Sequence, residues 1–141
     1  MLFNNVDQDE ERLLLKFMAI PYKHRGRCFD GADCYGLEIL WYRHRYGIEL
    51  FDLEEDYDVP GRWGDRSYIL ENYYRQWTKT DHPEPGDLII FNRYQQADHV
   101  GVCLTNGRFM HMMRCGVVIG RLLDKEWSNI VEGYYRFKGK R

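Results

Sequence analysis

The sequence predicts a single α+β domain over residues 1–141, with helices first and an antiparallel sheet after them. Three observations carry that prediction. Apolar residues recur at helical spacing in the first third of the chain, whereas after Gly86 they fall in short β-branched and aromatic runs separated by turn residues. A length of 141 residues suits one domain, which buries about two-thirds of its unfolded surface. No internal repeat or low-complexity stretch divides the chain.

Each element has its own signal. Asp7 with Glu10 three residues on resembles a capping box, Leu13, Leu14, Phe17 and Met18 follow at helical spacing, and Pro21 ends the helix. A loop, PYKHRGRCFDGAD, leads to the helical segment CYGLEILWYRHRY, closed by Gly47. Leu37, Ile39, Leu40, Trp41, Tyr42 and Tyr46 surround that second helix and leave a narrow polar stripe near Glu38 and Arg45, so it is expected to lie buried. Residues 51–62 are acidic and contain Pro-Gly, which reads as a solvated loop, and a third helix is expected from about Ser67 to Trp77. DLIIFN, HVGVCLTN, GRFMHMM, GVVIG and VEGYYRFK then read as strands.

Composition removes several classes of function. Aromatic residues make up 16% of the chain and hydrophobic residues 44%, too many for a disordered protein. No apolar run reaches the roughly 18 residues of a membrane-spanning helix. A net charge of −2 lacks the basic excess of a general nucleic-acid binder. Cys28, Cys34, Cys103 and Cys115 form no C-x-x-C and are too few for a disulfide scaffold. The opening MLFNNVDQDEER is acidic where a signal peptide starts basic, so the chain is expected not to be exported by its own signal.

Cys34 is the candidate nucleophile. Asp33 is a good N-cap, which puts Cys34 in the first helical turn, where the macrodipole favours thiolate over thiol. The alternative is a small buried hydrophobe. A base is required, and His99 and His111, on consecutive strands, supply one if they share a face. A two-residue turn at Asn106-Gly107 would pair Val102 with His111 and place the histidines on opposite faces. A three-residue loop, Thr105-Asn106-Gly107 with Gly107 left-handed, instead sets Gly101 opposite His111 and makes His99 its diagonal neighbour, with open space at Gly101. That register also gathers Val100, Val102, Leu104, Met110 and Met112 on one core face, so it is preferred. Cys34 would then attack an amide carbonyl, His99 would hold the ion pair and protonate the leaving amine, and His111 would orient His99. The backbone N–H of Cys34 would meet the oxyanion. The same machinery also suits acyl transfer. A competing metal site follows from the H-x-x-x-C spacing of His99 with Cys103 and His111 with Cys115, although this is far from known zinc spacings.

From about Ile20 to Arg136 these segments resemble the NlpC-type cysteine peptidases, a papain-like family that cuts cell-wall peptides. IPYKHRGRCFDGADCYGL is similar to the family's early-tyrosine and Asp-Cys-x-Gly segment, PEPGDLIIF to its Pro-Gly-Asp-Leu strand, and DHVGVCLTNGRFMHM to its His-Val-Gly strand and second histidine. Trp127 and YYRF fit its ending. The resemblance implies a papain-like NlpC-type fold, N-terminal helices packed on the sheet, with Cys34 as nucleophile, His99 as base, His111 as orienting residue and Tyr22 as an added oxyanion donor. It implies a peptidoglycan stem peptide as substrate, cut between D-glutamate and a diamino acid, with no cofactor and no metal. Lys23, Arg25 and Arg27 would meet its carboxylates, and Asp33 and Tyr35 complete the expected substrate-facing set. The chain departs from the family at Tyr35, where a small residue is usual, and at Arg25-Gly26 in place of Gly-Gly. A short domain of this kind resembles the peptidases of phage tails and phage-derived particles. Tail-tip or hub proteins are then the expected partners, and the tail would carry the protein, made in the cytoplasm, to the periplasm or cell wall. The rival expectation is a catalytically silent tail-tip assembly component, for which Tyr35 is the supporting feature.

Overall fold

The computed structural model of the chain describes residues 7–50, 76–93 and 96–139. Helix α1 (Gln8–Phe17) is followed by a small hairpin, β1 (Arg27–Cys28) and β2 (Gly31–Ala32), and by helix α2 (Cys34–Tyr46). Strands β3 (Trp77–Thr80), β4 (Leu88–Arg93), β5 (Gln96–Cys103), β6 (Arg108–Met113), β7 (Gly116–Arg121) and β8 (Val131–Phe137) form one antiparallel sheet in the order β3-β8-β4-β5-β6-β7. This is the expected α+β arrangement. The acidic loop at 51–62 and most of the expected third helix lie outside the described residues. The expected end of that helix, Trp77, instead opens β3, with its buried ring followed by exposed Thr78 and Lys79 and its backbone paired to Phe137. Thr78 and Thr80 favour that extended state.

Both faces of the sheet are covered. Leu88, Ile90, Val100, Val102, Met110 and Met112 point toward α2 and form the main core with Leu37, Leu40 and Trp41. The alternate residues Ile89, Phe91, Cys103 and Phe109 form a second cluster, roofed by Leu122, Trp127 and Ile130 from the segment after β7. The period of two along β4, β5 and β6 divides these side chains between the layers. Helix α2 is buried as expected, and its expected polar stripe is narrower still, because Glu38 is 0% exposed. Gly47 closes it in the left-handed conformation, φ 69°.

Buried and half-buried polar ties fix these elements and their register. Asp7 caps α1 by accepting from the Glu10 N–H at 3.0 Å. Glu10 turns its buried carboxylate to the β5–β6 turn, where it accepts from Thr105 Oγ1 at 2.7 Å and from Arg108 at 3.2 Å. Asp87, wholly buried at the start of β4, accepts from the Glu84 N–H at 2.7 Å and from Arg136 of β8 at 2.8 Å. The Tyr42 hydroxyl of α2 donates to the Gly86 carbonyl beside it. Met18, placed on the apolar side of α1 by its spacing, is 44% exposed, because the core contact of the last turn falls to Phe17. Among the described residues no helix is long and apolar enough to cross a membrane.

Candidate active site

The start of α2 is built by its cap. Asp33 is extended, and its carboxylate accepts from the Gly36 N–H at 2.7 Å, from the Arg25 N–H at 3.0 Å and from Arg27 Nη1 at 3.0 Å. One buried side chain thereby fixes both the first helical turn and the loop before it. Cys34 follows at 8% exposure, in a first turn that contains no acidic side chain. The macrodipole there favours the thiolate.

Glycines allow the loop to lie backbone against backbone on that turn. A Cβ on Gly36 would strike the Gly26 carbonyl, and one on Gly26 would strike the Gly31 carbonyl. Gly26 and Gly36 therefore make room for the backbone itself, and Gly31 for the stem of Lys23. The Arg25-Gly26 pair that replaces Gly-Gly keeps the glycine required for this contact and places Arg25 at φ 62°. Tyr22 bridges to Ala32, while Lys23 N–H donates to the Ala32 carbonyl at 3.0 Å. Tyr22 is 38% exposed rather than packed into the helix. Burial, the Asp33 carboxylate and Cys34 raise its pKa above the ordinary phenol value, against the opposing pull of Arg114. Its hydroxyl is kept protonated, as a hydrogen-bond donor must be.

The histidines meet on the sheet. Gly101 pairs with His111, Val102 with Met110 and Cys103 with Phe109, which is the register of the longer loop. Thr105–Gly107 forms a tight 3-10 turn with two left-handed residues, Asn106 at φ 62° and Gly107 at φ 69°, rather than Gly107 alone. His99 Nε2 lies 2.8 Å from His111 Nδ1, and the two residues are 4% and 0% exposed. The expected open space at Gly101 is absent: a Cβ there would sit 2.9 Å from the Met110 carbonyl oxygen and 3.3 Å from His111 Cβ. Gly101 is needed for close approach of strands. Helix α2 packs on β5 and β6, so the elements carrying Cys34 and the histidines are neighbours.

The expected substrate-facing residues divide. Arg27 donates to Asp33 and to the Gly26 carbonyl at 2.9 Å, and its guanidinium lies 5.7 Å from the centre of the Tyr35 ring. Asp33 and Tyr35 are buried, Tyr35 at 1% exposure inside the main core. These three residues build the loop and helix rather than present a surface to a ligand. Lys23 is exposed and Arg25 half-buried at the same loop. Among the described residues the H-x-x-x-C spacing gathers no cluster of metal-ligating side chains. Cys103 sits in the apolar second cluster, Cys115 lies exposed in the turn after β6, and no described group of three ligating side chains is placed to hold an ion.

Sequence reasoning missed the walls of the histidine site. Phe91 pairs with His99 across β4 and β5, with ring centres 5.4 Å apart. Phe109 and Trp127 lie 5.0 and 4.6 Å from the His111 ring. Phe91 and Phe109 read in the sequence as ordinary strand core, and only the register reveals their neighbours.

Comparison with known proteins agrees with this architecture. The NlpC/P60 family pattern matches residues 19–136. Tail tip assembly protein K of Escherichia phage N15 is 34% identical over 102 residues, covering 65% of this chain and 39% of that protein. Murein DD-endopeptidase MepS/Murein LD-carboxypeptidase of Escherichia coli K12 is 24% identical over 111 residues, covering 78% of this chain and 52% of that one. The probable endopeptidase NlpC of the same strain is 26% identical, covering 79% and 64%. The chain thus spans 39% to 64% of the length of these relatives. Among solved structures, the NlpC/p60 domain of the peptidoglycan hydrolase SagA superposes with a TM-score of 0.58 at 15% identity, covering 93% of this chain and 99% of that domain. A family protein from Bacillus cereus gives a TM-score of 0.63 at 24% identity, covering 87% and 37%. With the pattern matched across most of its length, the chain belongs to the NlpC/P60 family.

Proposed function

We propose that the protein is a cysteine hydrolase that cuts amide bonds in peptidoglycan stem peptides, with Cys34, His99 and His111 as its catalytic set. The observation that carries this reading is the buried 2.8 Å contact between His99 Nε2 and His111 Nδ1, on the two strands against which the helix that begins at Cys34 packs. With Nε2 of His99 engaged by His111, Nδ1 is the nitrogen left to serve the thiol. It accepts the Cys34 proton, and the thiolate attacks the amide carbonyl. The Cys34 backbone N–H and the Tyr22 hydroxyl meet the oxyanion. His99 then returns its proton to the leaving amine, and water completes hydrolysis of the thioester.

The γ-D-glutamyl–diamino acid bond is the assigned target, and exposed Lys23 with Arg25 is assigned to the carboxylates that flank it. The similarity to a tail tip assembly protein supports carriage by a phage or phage-like tail, with tail-tip or hub proteins as partners and the cell wall as the place of action. Digestion of purified peptidoglycan by wild type and Cys34→Ala, with mass spectrometry of the fragments, tests the reading. Wild type is expected to release fragments ending at D-glutamate and the variant none. No product from either would leave the silent assembly component as the better account, and equal product from both would sink Cys34 as the nucleophile.

A further inference from the structure

The histidine pair has a tautomer problem. A single hydrogen bond joins His99 Nε2 and His111 Nδ1, and either ring can donate it. If His111 donates, neutral His99 carries its only proton on Nδ1 and cannot take one from the thiol there. If His99 donates, its Nδ1 is a base, and neutral His111 must carry its own proton on Nε2. The proposed mechanism requires the second state. An Nε2–H inside an apolar wall is costly unless something receives it.

The surroundings of His111 offer a receiver. Its ring is 0% exposed and is ringed by Phe91 at 5.8 Å, Phe109 at 5.0 Å and Trp127 at 4.6 Å. Trp127 is the nearest of the three and stands nearly perpendicular, at 84°. Perpendicular rings at this distance suit an N–H edge directed at a π face, and indole has the most electron-rich face of any side chain. Trp127 is held there by construction. It lies on the one-turn helix Lys125–Ser128, its centre is 5.6 Å from Phe91 and 5.8 Å from Phe109, and Gly120 leaves the gap that Phe109 and Trp127 fill. A Cβ on Gly120 would lie 2.6 Å from Phe109 and 3.3 Å from Trp127 Nε1.

We propose that Trp127 is a positioning residue for the histidine pair: its indole face receives the Nε2–H of His111 and so selects the tautomer in which His99 donates to His111 and keeps Nδ1 as the base. This rests on the proposed catalytic roles of the two histidines. Once the thiol proton has reached His99, the same face lies near the positive charge that His99 shares with His111, which stabilises the ion pair. Trp127 acts through His111 and touches no reacting atom.

Nitrogen-15 NMR of the imidazoles, in wild type, Trp127→Phe and Trp127→Leu, tests this apart from turnover. Wild type is expected to hold His111 as the Nε2–H tautomer near neutral pH. The phenyl variant should keep that tautomer, and the leucine variant should show mixed tautomers. On a stem-peptide substrate, W127L is expected to lower kcat by about tenfold with KM within about twofold, and W127F to restore most of the loss. An Nδ1–H His111 in wild type, or a W127L spectrum with unchanged tautomers, overturns the proposal. If W127L fails to fold, Trp127→Met, which also lacks an aromatic face, replaces it with the same expected mixing of tautomers and the same overturning result. If wild type shows the expected tautomer but releases no fragments from peptidoglycan, the proposed hydrolase reading fails while the tautomer assignment stands.

Discussion

Asp33 and Tyr22 show how single residues set the chemistry around Cys34. The Asp33 carboxylate accepts three hydrogen bonds from the first helical turn and the loop before it, and its ion pair with Arg27 is largely buried. Asp33→Ala therefore removes a cap and the carboxylate paired with Arg27, and is expected to lower unfolding free energy by about 2 kcal/mol in urea denaturation. Tyr22→Phe removes the proposed oxyanion donor and is expected to lower kcat on the order of 100-fold with little change in KM. The raised pKa of Tyr22 also has a sign that can be checked. A phenol whose folded pKa lies above its unfolded value leaves stability intact below about pH 10 and costs stability as pH rises through the folded value. Wild type should thus lose stability above pH 10 more steeply than Tyr22→Phe in alkaline denaturation. The sequence carried Cys34 and its cap plainly, because a cap acts within four residues. It did not reveal that Arg27, Asp33 and Tyr35 serve the fold, since the same charges and rings suit a substrate surface until burial is known.

At the scale of elements, the β5–β6 hairpin decides whether two histidines make a site. Parity was legible because the alternation of Val100, Val102, Leu104, Met110 and Met112 left only one register with a coherent core face. What reads the turn in three dimensions is α1, through Glu10 on Thr105 and Arg108. That tie joins residues 95 apart and has no local signature. Glu10→Ala is expected to leave the half-buried donors of Thr105 without their carboxylate and cost about 1–2 kcal/mol, with loss of activity tracking broadening of the His99 and His111 NMR signals. Gly101→Ala, in contrast, presses a methyl on the Met110 carbonyl and is expected to cost about 1–3 kcal/mol in thermal or urea unfolding. The end expected for the third helix, Trp77, opens a strand whose partner, β8, lies far along the chain and leaves no local signal.

Across the whole molecule, a helix that starts at Cys34 is pressed on one face of a sheet, and an aromatic layer holds the histidines from the other. The helix-first, strands-after order made the class readable, whereas the second layer came from tertiary packing of residues that looked like routine core. Asp87 and Arg136 tie β4 to β8 at the rim of that sheet. Arg136→Met strands a wholly buried carboxylate and is expected to cost about 3–5 kcal/mol in urea denaturation. The central claim is that this assembly makes Cys34 a histidine-activated nucleophile. The pH dependence of Cys34 alkylation by iodoacetamide, in wild type and His99→Ala with the other cysteines identified by peptide mapping, tests it most directly. The account predicts rapid alkylation of wild-type Cys34 well below the ordinary thiol pKa of about 8.5, and a shift back to that value in the variant. Alkylation of wild-type Cys34 that follows an ordinary thiol, unchanged by loss of His99, would contradict it.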